Sequence, residues 1–189
     1  YFITDNQGIV YRNEVWPGDS VYPDFLNSNT RKWWAGNQKI MTDYGVSGIW
    51  NDMNEPASFN GPLPEDVMFN QDGIPVQHKE AHNVYGHMMA KATYEGLKKE
   101  TGKRPFIVTR ACYAGTQKYS TIWTGDNQST WEHLRMSLPM LMNLGLSGMA
   151  FCGTDVGGFG HDCSVELLSR WVQVGTFTPL FRNHSSMGT

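Results

Sequence analysis

Short apolar runs alternate with segments of helical spacing along most of the 189-residue chain. The runs that predict buried strands are Val46 to Trp50, Phe106 to Val108, Thr121 to Trp123, Met149 to Cys152 and Pro179 to Phe181. The segments that predict helices are Asn29 to Gly45, capped by Asn29, then Glu80 to Lys99, stopped by Gly102, then Thr130 to Leu144 and Val165 to Gly175. This alternation predicts parallel strands joined by right-handed crossovers.

Two segments interrupt the alternation. Residues 1–25 contain the turn signal Asp5 to Gly8 between apolar residues, which predicts a hairpin followed by an extended loop. Residues 57–77 are rich in Pro, Gly and Asn and show no sustained period, so they predict a long loop after the Val46 to Trp50 strand. Long loops in compact domains are usually functional or disordered.

Each predicted strand is followed by a polar side chain. These side chains are Asp52, Arg110, Asp126, Asp155 and His184. In a closed barrel all such strand ends converge on one face, whereas in a doubly wound sheet they spread along an edge. No G-x-G-x-x-G follows a strand. We therefore predict an α/β fold, a (β/α)8 TIM-type barrel.

We expect the chain to supply only the later strands of such a barrel. A complete barrel needs about 250 residues, and the pattern predicts about five strands. The sequence begins at Tyr1 without Met and ends at Thr189 soon after an aromatic stretch. The expected organisation is a partial catalytic domain over residues 1–189, inside a larger multidomain protein.

Composition and charge argue against several kinds of partner. A hydrophobic content of 40% favours a globular core over disorder. The net charge is −3 and the basic residues are scattered, so neither nucleic acid nor a membrane surface is an expected partner. No apolar run approaches the roughly 18 residues of a membrane span. Cys112, Cys152 and Cys163 lack C-x-x-C spacing, which favours a reducing compartment and predicts a cytoplasmic location.

Asp52 and Asp126 are the candidate catalytic pair. Two carboxylates that flank a glycosidic bond can act as nucleophile and general acid, and a separation of about 5 to 5.5 Å would predict retention. The alternative is that each Asp caps a helix or closes a turn, but their shared place at strand ends favours catalysis. Glu55 is a lower-ranked alternative nucleophile, which could instead tune Asp52 or bind a sugar hydroxyl.

Arg110 and His184 are candidates for holding sugar hydroxyls. The planar guanidinium of Arg110 could grip two hydroxyls, or form a structural ion pair with Asp126 or Asp155. His184 could donate to a hydroxyl or support other polar groups. The side chains that could wall a sugar pocket, or else belong to the core, are Trp16, Trp50, Met53, Trp123 and Phe159.

Three histidines, His78, His82 and His87, suggest a metal site only weakly. The first two lie one helical turn apart, but Glu80 is displaced by one position from the H-E-x-x-H pattern of zinc proteases. We predict neither a metal nor a cofactor.

The run Trp50 to Pro56, WNDMNEP, resembles the nucleophile signature of glycoside hydrolase family 31, the α-glucosidase family. Other blocks that resemble the family occur along the chain in the family's order: Trp16 to Gly18 and Pro23 to Phe25 before this run, and His82 to Gly86, Arg104 to Phe106, Thr109-Arg110, Trp123 to Asn127, Gly153 to Phe159 and Phe181 to His184 after it. The resemblance covers essentially the whole chain and implies an internal fragment of the family's catalytic barrel.

The resemblance also implies roles for the acids. Asp52 would be the nucleophile that forms a β-glycosyl-enzyme intermediate. Asp126 would protonate the leaving oxygen and then activate water, and Glu55 would assist. The expected activity is that of a retaining exo-acting α-glucosidase on maltose- or isomaltose-like ends. The alternatives are an α-glucosyltransferase or α-xylosidase of the same family, or a non-catalytic sugar-binding chain.

The resemblance further implies how the sugar is held. Arg110 and His184 would bind its hydroxyls, and Asp155 would support Arg110. The apolar side chains named above would surround the sugar, a small oligosaccharide. The family's β-sandwich, its later β-domains and a sugar-binding aspartate from an early barrel strand have no counterpart in these residues.

Overall fold

In the computed structural model, which describes residues 1–188, the chain divides into two units. The first unit is Tyr1–Ser120, and the second begins at Thr121. Both contain the parallel strand pairs that the alternating pattern predicts.

The first unit contains two hairpins, a parallel strand pair and one long helix. Its elements in chain order are β1 (Arg12–Val15), β2 (Gly18–Val21), α1 (Ser28–Asn37), α2 (Lys39–Thr42), β3 (Gly48–Asn51), β4 (Met68–Gln71), β5 (Ile74–Gln77), α3 (His78–Ala81), a 3₁₀ turn (His82–Val84), α4 (Tyr85–Thr101), β6 (Phe106–Thr109) and a 3₁₀ turn (Thr116–Lys118). Strands β3 and β6 are parallel, with Asn51 opposite Thr109 at their carboxyl ends. This register brings the residues that follow the two strands, Asp52 and Arg110, to the same edge.

The prediction that Asn29 caps the first helix is wrong. Asn27 is the capping residue, because its side-chain oxygen accepts from the backbone N–H of Asn29 at 2.9 Å and of Thr30 at 3.3 Å. The helix therefore starts at Ser28. Two asparagines so close together are equally good caps by residue type, and only the backbone conformation selects between them.

The segment 57–77 is more regular than its composition predicts. It contains the antiparallel hairpin β4–β5, in which Asp72 and Gly73 adopt left-handed φ angles of 51° and 100°. Thr4 and Met68 exchange backbone hydrogen bonds of 3.0 and 2.7 Å. These bonds join residues far apart in sequence, so a local pattern does not reveal them.

The predicted helix from Glu80 to Lys99 is present but divided. The 3₁₀ turn at His82–Val84 separates α3 from α4. Gly102 ends α4 in the left-handed conformation, with a φ of 66°, as its place in the sequence predicts. The buried core of this unit consists of Ile3, Tyr22, Phe25, Leu26, Leu63, Val67, Phe69, Ala81, Tyr85 and Ala92.

The second unit continues the alternation of strands and helices. Its elements are β7 (Thr121–Trp123), α5 (Trp131–Leu146), β8 (Cys152–Gly153), β9 (Asp155–Val156), α6 (Val165–Gly175) and β10 (Arg182–Asn183). The predicted bounds of β7 and α6 are confirmed, whereas the strand expected from Met149 starts only at Cys152. Strands β7 and β8 are parallel, as are β9 and β10.

Helix α6 contacts the chain between β8 and β9 in the second unit. Its Trp171 is fully buried, and the indole Nε1 donates to Oγ1 of Thr154 at 3.2 Å. Leu134, Val156 and Leu167 complete this core cluster. Among residues 1–188, no helix is both long and apolar enough to cross a membrane.

Candidate active site

Asp52 leaves the end of β3 with its carboxylate partly open to solvent. The preceding residue, Asn51, is buried, and its carbonyl accepts from the backbone N–H of Arg110 at 3.2 Å. The following residue, Met53, has a left-handed φ of 58° and donates its backbone N–H to Asp52 Oδ1 at 2.7 Å. The Asp52 side chain is 45% exposed. The strand thus fixes the backbone while the carboxylate faces outward.

Arg110 connects the two acids of the WNDMNEP run. Its Nε donates to Glu55 Oε1 at 2.6 Å and its Nη2 donates to Glu55 Oε2 at 3.0 Å. Its Nη1 lies 3.2 Å from Asp52 Oδ1, and Nη2 also contacts Sδ of Met53 at 3.1 Å. Only 16% of the Arg110 side chain is exposed. The structure therefore brings together four predicted site residues: Asp52, Met53, Glu55 and Arg110.

The two acids differ in how their oxygens are used. Both oxygens of Glu55 accept from the Arg110 guanidinium. Both contacts of Asp52 with Arg110 and with the Met53 N–H use Oδ1. Among the described residues, Oδ2 of Asp52 is the carboxylate oxygen of this cluster that remains available to a substrate atom.

Trp16 stands at the turn of the β1–β2 hairpin and is 80% exposed. Its ring meets that of Phe59 edge to face, with centroids 4.9 Å apart. The backbone N–H of Phe59 donates to Glu14 O at 2.9 Å, and the Tyr22 hydroxyl donates to Ala57 O at 3.0 Å. These contacts tie the hairpin to the loop that follows Asp52.

Phe59 is a candidate site residue that the sequence analysis did not identify. It lies in a loop without hydrophobic period, so no pattern distinguishes it from other loop residues. Its only sequence signal is that it stands seven positions after Asp52 in the loop next to the candidate nucleophile. Trp50, in β3, is half-buried.

Asp126 lies in the turn after β7 and is exposed. Gly125 before it has a left-handed φ of 92°. Asn127 after it donates from Nδ2 to Asp155 O at 3.0 Å, and its carbonyl accepts from the Phe159 N–H at 2.6 Å. Asn127, next to Asp126, is thus hydrogen-bonded to β9 and to the glycine-rich turn that follows β9.

Asp155 is fully buried, and its Oδ1 accepts from Arg182 Nη1 at 3.1 Å. Arg182 has no role in the sequence prediction, although it stands in the run Phe181 to His184 that carries the resemblance. The rings of Phe159 and His184 lie 5.3 Å apart at an angle of 32°. The prediction that Asp155 supports Arg110 stays a prediction.

Trp123 is 2% exposed, which suits a core residue of β7. Its predicted contact with a sugar stays a prediction. The same holds for the hydroxyl-binding roles of Arg110 and His184.

The histidines that suggested a metal make contacts with protein groups. His78 Nδ1 lies 3.2 Å from Leu63 O and 3.1 Å from Pro64 O, so it carries the proton and donates. His78 Nε2 then accepts from His82 Nδ1 at 2.9 Å. Burial lowers the pKa of His78. Among residues 1–188, no group of three or more His, Cys, Asp or Glu side chains is placed to hold a metal ion.

Comparison with known proteins gives one family. The sequence model of the "Glycosyl hydrolases family 31 TIM-barrel domain" matches residues 1–189. Alpha-glucosidase 2 of Bacillus thermoamyloliquefaciens is 59% identical over 100% of this chain and 24% of its own length. Neutral alpha-glucosidase AB of Homo sapiens is 42% identical over 100% of the chain and 20% of its own length. The chain thus spans about a quarter or less of the curated relatives it matches.

Solved structures give the same family. The glucosidase II alpha subunit bound to alpha3-Glc2 superposes with a TM-score of 0.91 at 38% identity, over 99% of this chain and 21% of that one. A Flavobacterium johnsoniae GH31 dextranase mutant complexed with isomaltotriose superposes with a TM-score of 0.90 at 30% identity, over 99% of this chain and 24% of that one. The predicted fold class, a TIM-type barrel of which the chain supplies part, is confirmed. The chain belongs to the TIM-barrel domain of glycoside hydrolase family 31.

Proposed function

We propose that this chain supplies the catalytic carboxylates of a retaining exo-acting α-glucosidase, which removes terminal α-linked glucose from oligosaccharides. The observation that carries the proposal is the arrangement of Asp52, Glu55 and Arg110 after β3 and β6. Arg110 occupies both oxygens of Glu55 but only Oδ1 of Asp52. Asp52 therefore has an oxygen, Oδ2, with which to attack a sugar carbon.

In the first step, Oδ2 of Asp52 attacks the anomeric carbon and the bond to the leaving oxygen breaks. Asp126 gives its proton to that oxygen, so the leaving group departs as an alcohol. A β-linked glycosyl ester on Asp52 results. In the second step, Asp126 takes a proton from water, and the water oxygen displaces Asp52. Two inversions return the α configuration.

Arg110 and Glu55 would support this chemistry without bonding to the sugar carbon. The guanidinium of Arg110, with Nη1 3.2 Å from Asp52 Oδ1, holds one oxygen of this carboxylate and leaves Oδ2 for the sugar carbon. Glu55 holds the guanidinium by two parallel hydrogen bonds, which is the geometry in which arginine binds a carboxylate most specifically. These contacts support an assisting role for Glu55 in the proposed mechanism.

The glucose specificity is supported by the names of relatives. These include alpha-glucosidase 2, neutral alpha-glucosidase AB and probable glucan 1,3-alpha-glucosidases, each matched over the whole of this chain. Among structures, a family dextranase is complexed with isomaltotriose. An oligosaccharide that ends in α-linked glucose is the proposed substrate. A cytoplasmic location stays a prediction.

The experiment is to follow hydrolysis of maltose and isomaltose by the complete protein with proton NMR. The first-released glucose is expected to be the α anomer. Release of β-glucose first would contradict a retaining mechanism, and cleavage of α-xylosides in preference to α-glucosides would contradict the assigned sugar. The Asp52→Asn protein, assayed in parallel, shows whether the signal comes from this site.

A second candidate is transfer of the glucosyl group to another sugar. It is favoured by the exposed indole of Trp16, which packs edge to face on Phe59 in the loop next to Asp52 and offers a flat apolar face to solvent. Such a surface could hold an acceptor sugar in place of water. Analysis of products at high maltose concentration separates the two, because a transferase yields oligosaccharides and little free glucose beyond that of the leaving group.

A further inference from the structure

Asn54 connects the two residues that flank Arg110. Its side chain is buried, with 1% of the residue exposed. Its Nδ2 donates to Thr109 Oγ1 at 2.9 Å, and its Oδ1 accepts from the backbone N–H of Ala111 at 3.1 Å. One amide thus joins the loop after β3 to the chain on both sides of Arg110.

Thr109 closes this network. It is fully buried, and its hydroxyl donates to Ala111 O at 2.9 Å while it accepts from Asn54. Asn54 Nδ2 and the Thr109 hydroxyl each donate one hydrogen bond in this network, and Asn54 Oδ1 and Thr109 Oγ1 each accept one. A buried network satisfied in this way has few alternative arrangements, because any shift leaves a donor or acceptor without a partner.

Helix α4 packs directly against this network at Gly86. A Cβ atom at Gly86 would lie 2.7 Å from Asn54 O and 2.7 Å from Ala111 Cβ. Glycine is therefore required for the helix to approach so closely. The close approach excludes water from the network and leaves it no room to rearrange.

The contacts of Arg110 itself are less protected. Its partners Glu55 and Asp52 have side chains that are 38% and 45% exposed. The double hydrogen bond to Glu55 orients the guanidinium of Arg110, but it does not fix the backbone from which that side chain starts. The buried contacts of Thr109 and Ala111 with Asn54 hold that backbone on both sides of Arg110.

We propose that Asn54 and Thr109 form a positioning pair that holds Arg110 between Asp52 and Glu55. The catalytic consequence rests on the proposed function, whereas the placement of Arg110 does not. Neither residue touches the sugar in this proposal. Both act through Arg110, and this separates them from residues that merely stabilise the fold.

The test uses Thr109→Val in the complete protein, because valine keeps the shape of threonine and replaces only the hydroxyl by a methyl group. We expect kcat/KM on maltose to fall about 10-fold or more, since small displacements of positioning groups are costly. Thr109→Ser restores the hydroxyl and is expected to return kcat/KM to within roughly 3-fold of the parent, because the network needs only that group.

Thr30→Val is the matched control. Thr30 is also fully buried, and its hydroxyl donates to Tyr1 O at 3.2 Å, away from Arg110. It is expected to lower the thermal midpoint without lowering kcat/KM. Equal losses of kcat/KM in Thr30→Val and Thr109→Val would overturn the proposal. If Thr109→Val does not fold, Thr109→Ala replaces it, since it also lacks the hydroxyl and introduces no new methyl group.

A double-mutant cycle shows whether Thr109 acts through Arg110. In the Arg110→Ala background, Thr109→Val is expected to change kcat/KM by no more than about 2-fold, because the group that it positions is gone. A further loss as large as that in the parent would overturn the proposal.

Crystal structures of the parent and of Thr109→Val complete the test. Loss of the double hydrogen bond between Arg110 and Glu55 in the variant supports the positioning pair, and an unchanged bond overturns it. This measurement needs no activity. If the parent hydrolyses no α-glucoside, the proposed function fails, and the positioning pair is then decided by these structures alone.

Discussion

Arg110 grips Glu55 with two hydrogen bonds, Nε to Oε1 at 2.6 Å and Nη2 to Oε2 at 3.0 Å. The same guanidinium reaches Asp52 only through Nη1, which lies 3.2 Å from Oδ1. The two acids of the WNDMNEP run thus differ in their contacts: both oxygens of Glu55 accept from Arg110, whereas Arg110 contacts Asp52 at Oδ1. This difference gives mutational predictions in which the two acids behave differently.

Glu55→Gln is expected to weaken catalysis without abolishing it. The amide offers Arg110 one oxygen and turns an NH₂ group toward the other donor, so the double hydrogen bond is lost. We expect kcat/KM to fall roughly 10- to 100-fold, whereas Asp52→Asn is expected to cost roughly 10³-fold or more. Steady-state kinetics on maltose with the complete protein measures both.

The matched control for Glu55→Gln is Glu95→Gln. Glu95 is exposed and lies 4.0 Å from Lys91 in a surface pair one helical turn apart. Its loss is expected to leave the kinetics unchanged, because such pairs contribute little. If Glu55→Gln is as inactive as Asp52→Asn, Glu55 has a larger part in the chemistry than assisting Arg110.

Azide is expected to distinguish the roles of Asp52 and Asp126. With 4-nitrophenyl α-glucoside, whose leaving group needs no acid, Asp126→Ala still forms the β-linked intermediate. Azide then displaces Asp52 to give α-glucosyl azide. In Asp52→Ala, azide takes the place of the nucleophile and gives β-glucosyl azide.

Proton NMR of the azide products is the measurement. Asp43→Ala is the control, since Asp43 is exposed and pairs with Lys39 on the surface. It is expected to give free glucose at the parent's rate. The opposite assignment of the two azide anomers would exchange the proposed roles of Asp52 and Asp126.

Trp16→Ala is expected to weaken the binding of the sugar units that lie beyond the cleaved bond. Its ring is 80% exposed and packs on Phe59 beside the Asp52 loop. We expect KM for maltotriose to rise several-fold, because one aromatic contact contributes roughly 1 kcal/mol to binding. The change in KM for 4-nitrophenyl α-glucoside is expected to be smaller. Tyr44→Ala removes an aromatic ring that is 88% exposed elsewhere in this unit and should change neither value. Equal effects on both substrates would place Trp16 outside the acceptor side.

Gly86→Ala is expected to destabilise the protein. The added methyl group would meet Asn54 O and Ala111 Cβ, both at 2.7 Å, and overpacking of this kind costs about 1 to 3 kcal/mol. Gly145→Ala in α5 is the matched control, because a Cβ there meets nothing within 4 Å. It is expected to be neutral or to stabilise by up to about 1 kcal/mol. The thermal midpoints of the complete variant proteins, measured by calorimetry, test both predictions. A Gly86→Ala midpoint at or above that of the parent would show that Asn54 and Ala111 move away from the added methyl group at little cost.

Stability is expected to fall in mild acid partly through His78. Burial lowers the pKa of His78 below its ordinary value of 6.5, so the folded protein disfavours the charged form. The unfolded chain binds the proton first as the pH falls. The stabilisation is therefore complete above about pH 6.5 and decreases below it, with a slope of at most about 1.4 kcal/mol per pH unit for this one group.

His78→Gln removes this proton uptake. Between pH 7.5 and 5.5, the thermal midpoint of the parent is expected to fall more steeply than that of His78→Gln. Burial also lowers the pKa of His87, so His87 contributes to the dependence of the thermal midpoint on pH in both proteins. His161→Asn, a change at an exposed histidine, should follow the parent. Parallel curves for the parent and His78→Gln would remove His78 from the explanation.

The elements that the sequence predicted well are those with local signals. Strand β7 and helix α6 have the predicted bounds, because an apolar run or a helical period is visible within one window. The β4–β5 hairpin was not predicted within residues 57–77, although Asp72-Gly73 is a local turn signal between its strands. The pairing of Met68 with Thr4, which joins this hairpin to the start of the chain, was not predicted either. A contact between such distant residues leaves no trace in the local pattern.

The order of polar strand ends, together with the family blocks, was enough to identify Asp52 and Asp126 as the candidate pair and to assign the barrel family. The tertiary structure alone decided what Arg110 does. Its partner Glu55 is 55 positions away, and the sequence did not single out this contact. The predicted ion pair of Arg110 with Asp126 or Asp155 stays a prediction. The reason is physical: parallel pairing of β3 with β6 sets Asn51 opposite Thr109, and this register brings Arg110 beside the loop that carries Asp52 and Glu55. Strand patterns predict that two strands exist, but only packing decides which of their residues lie side by side.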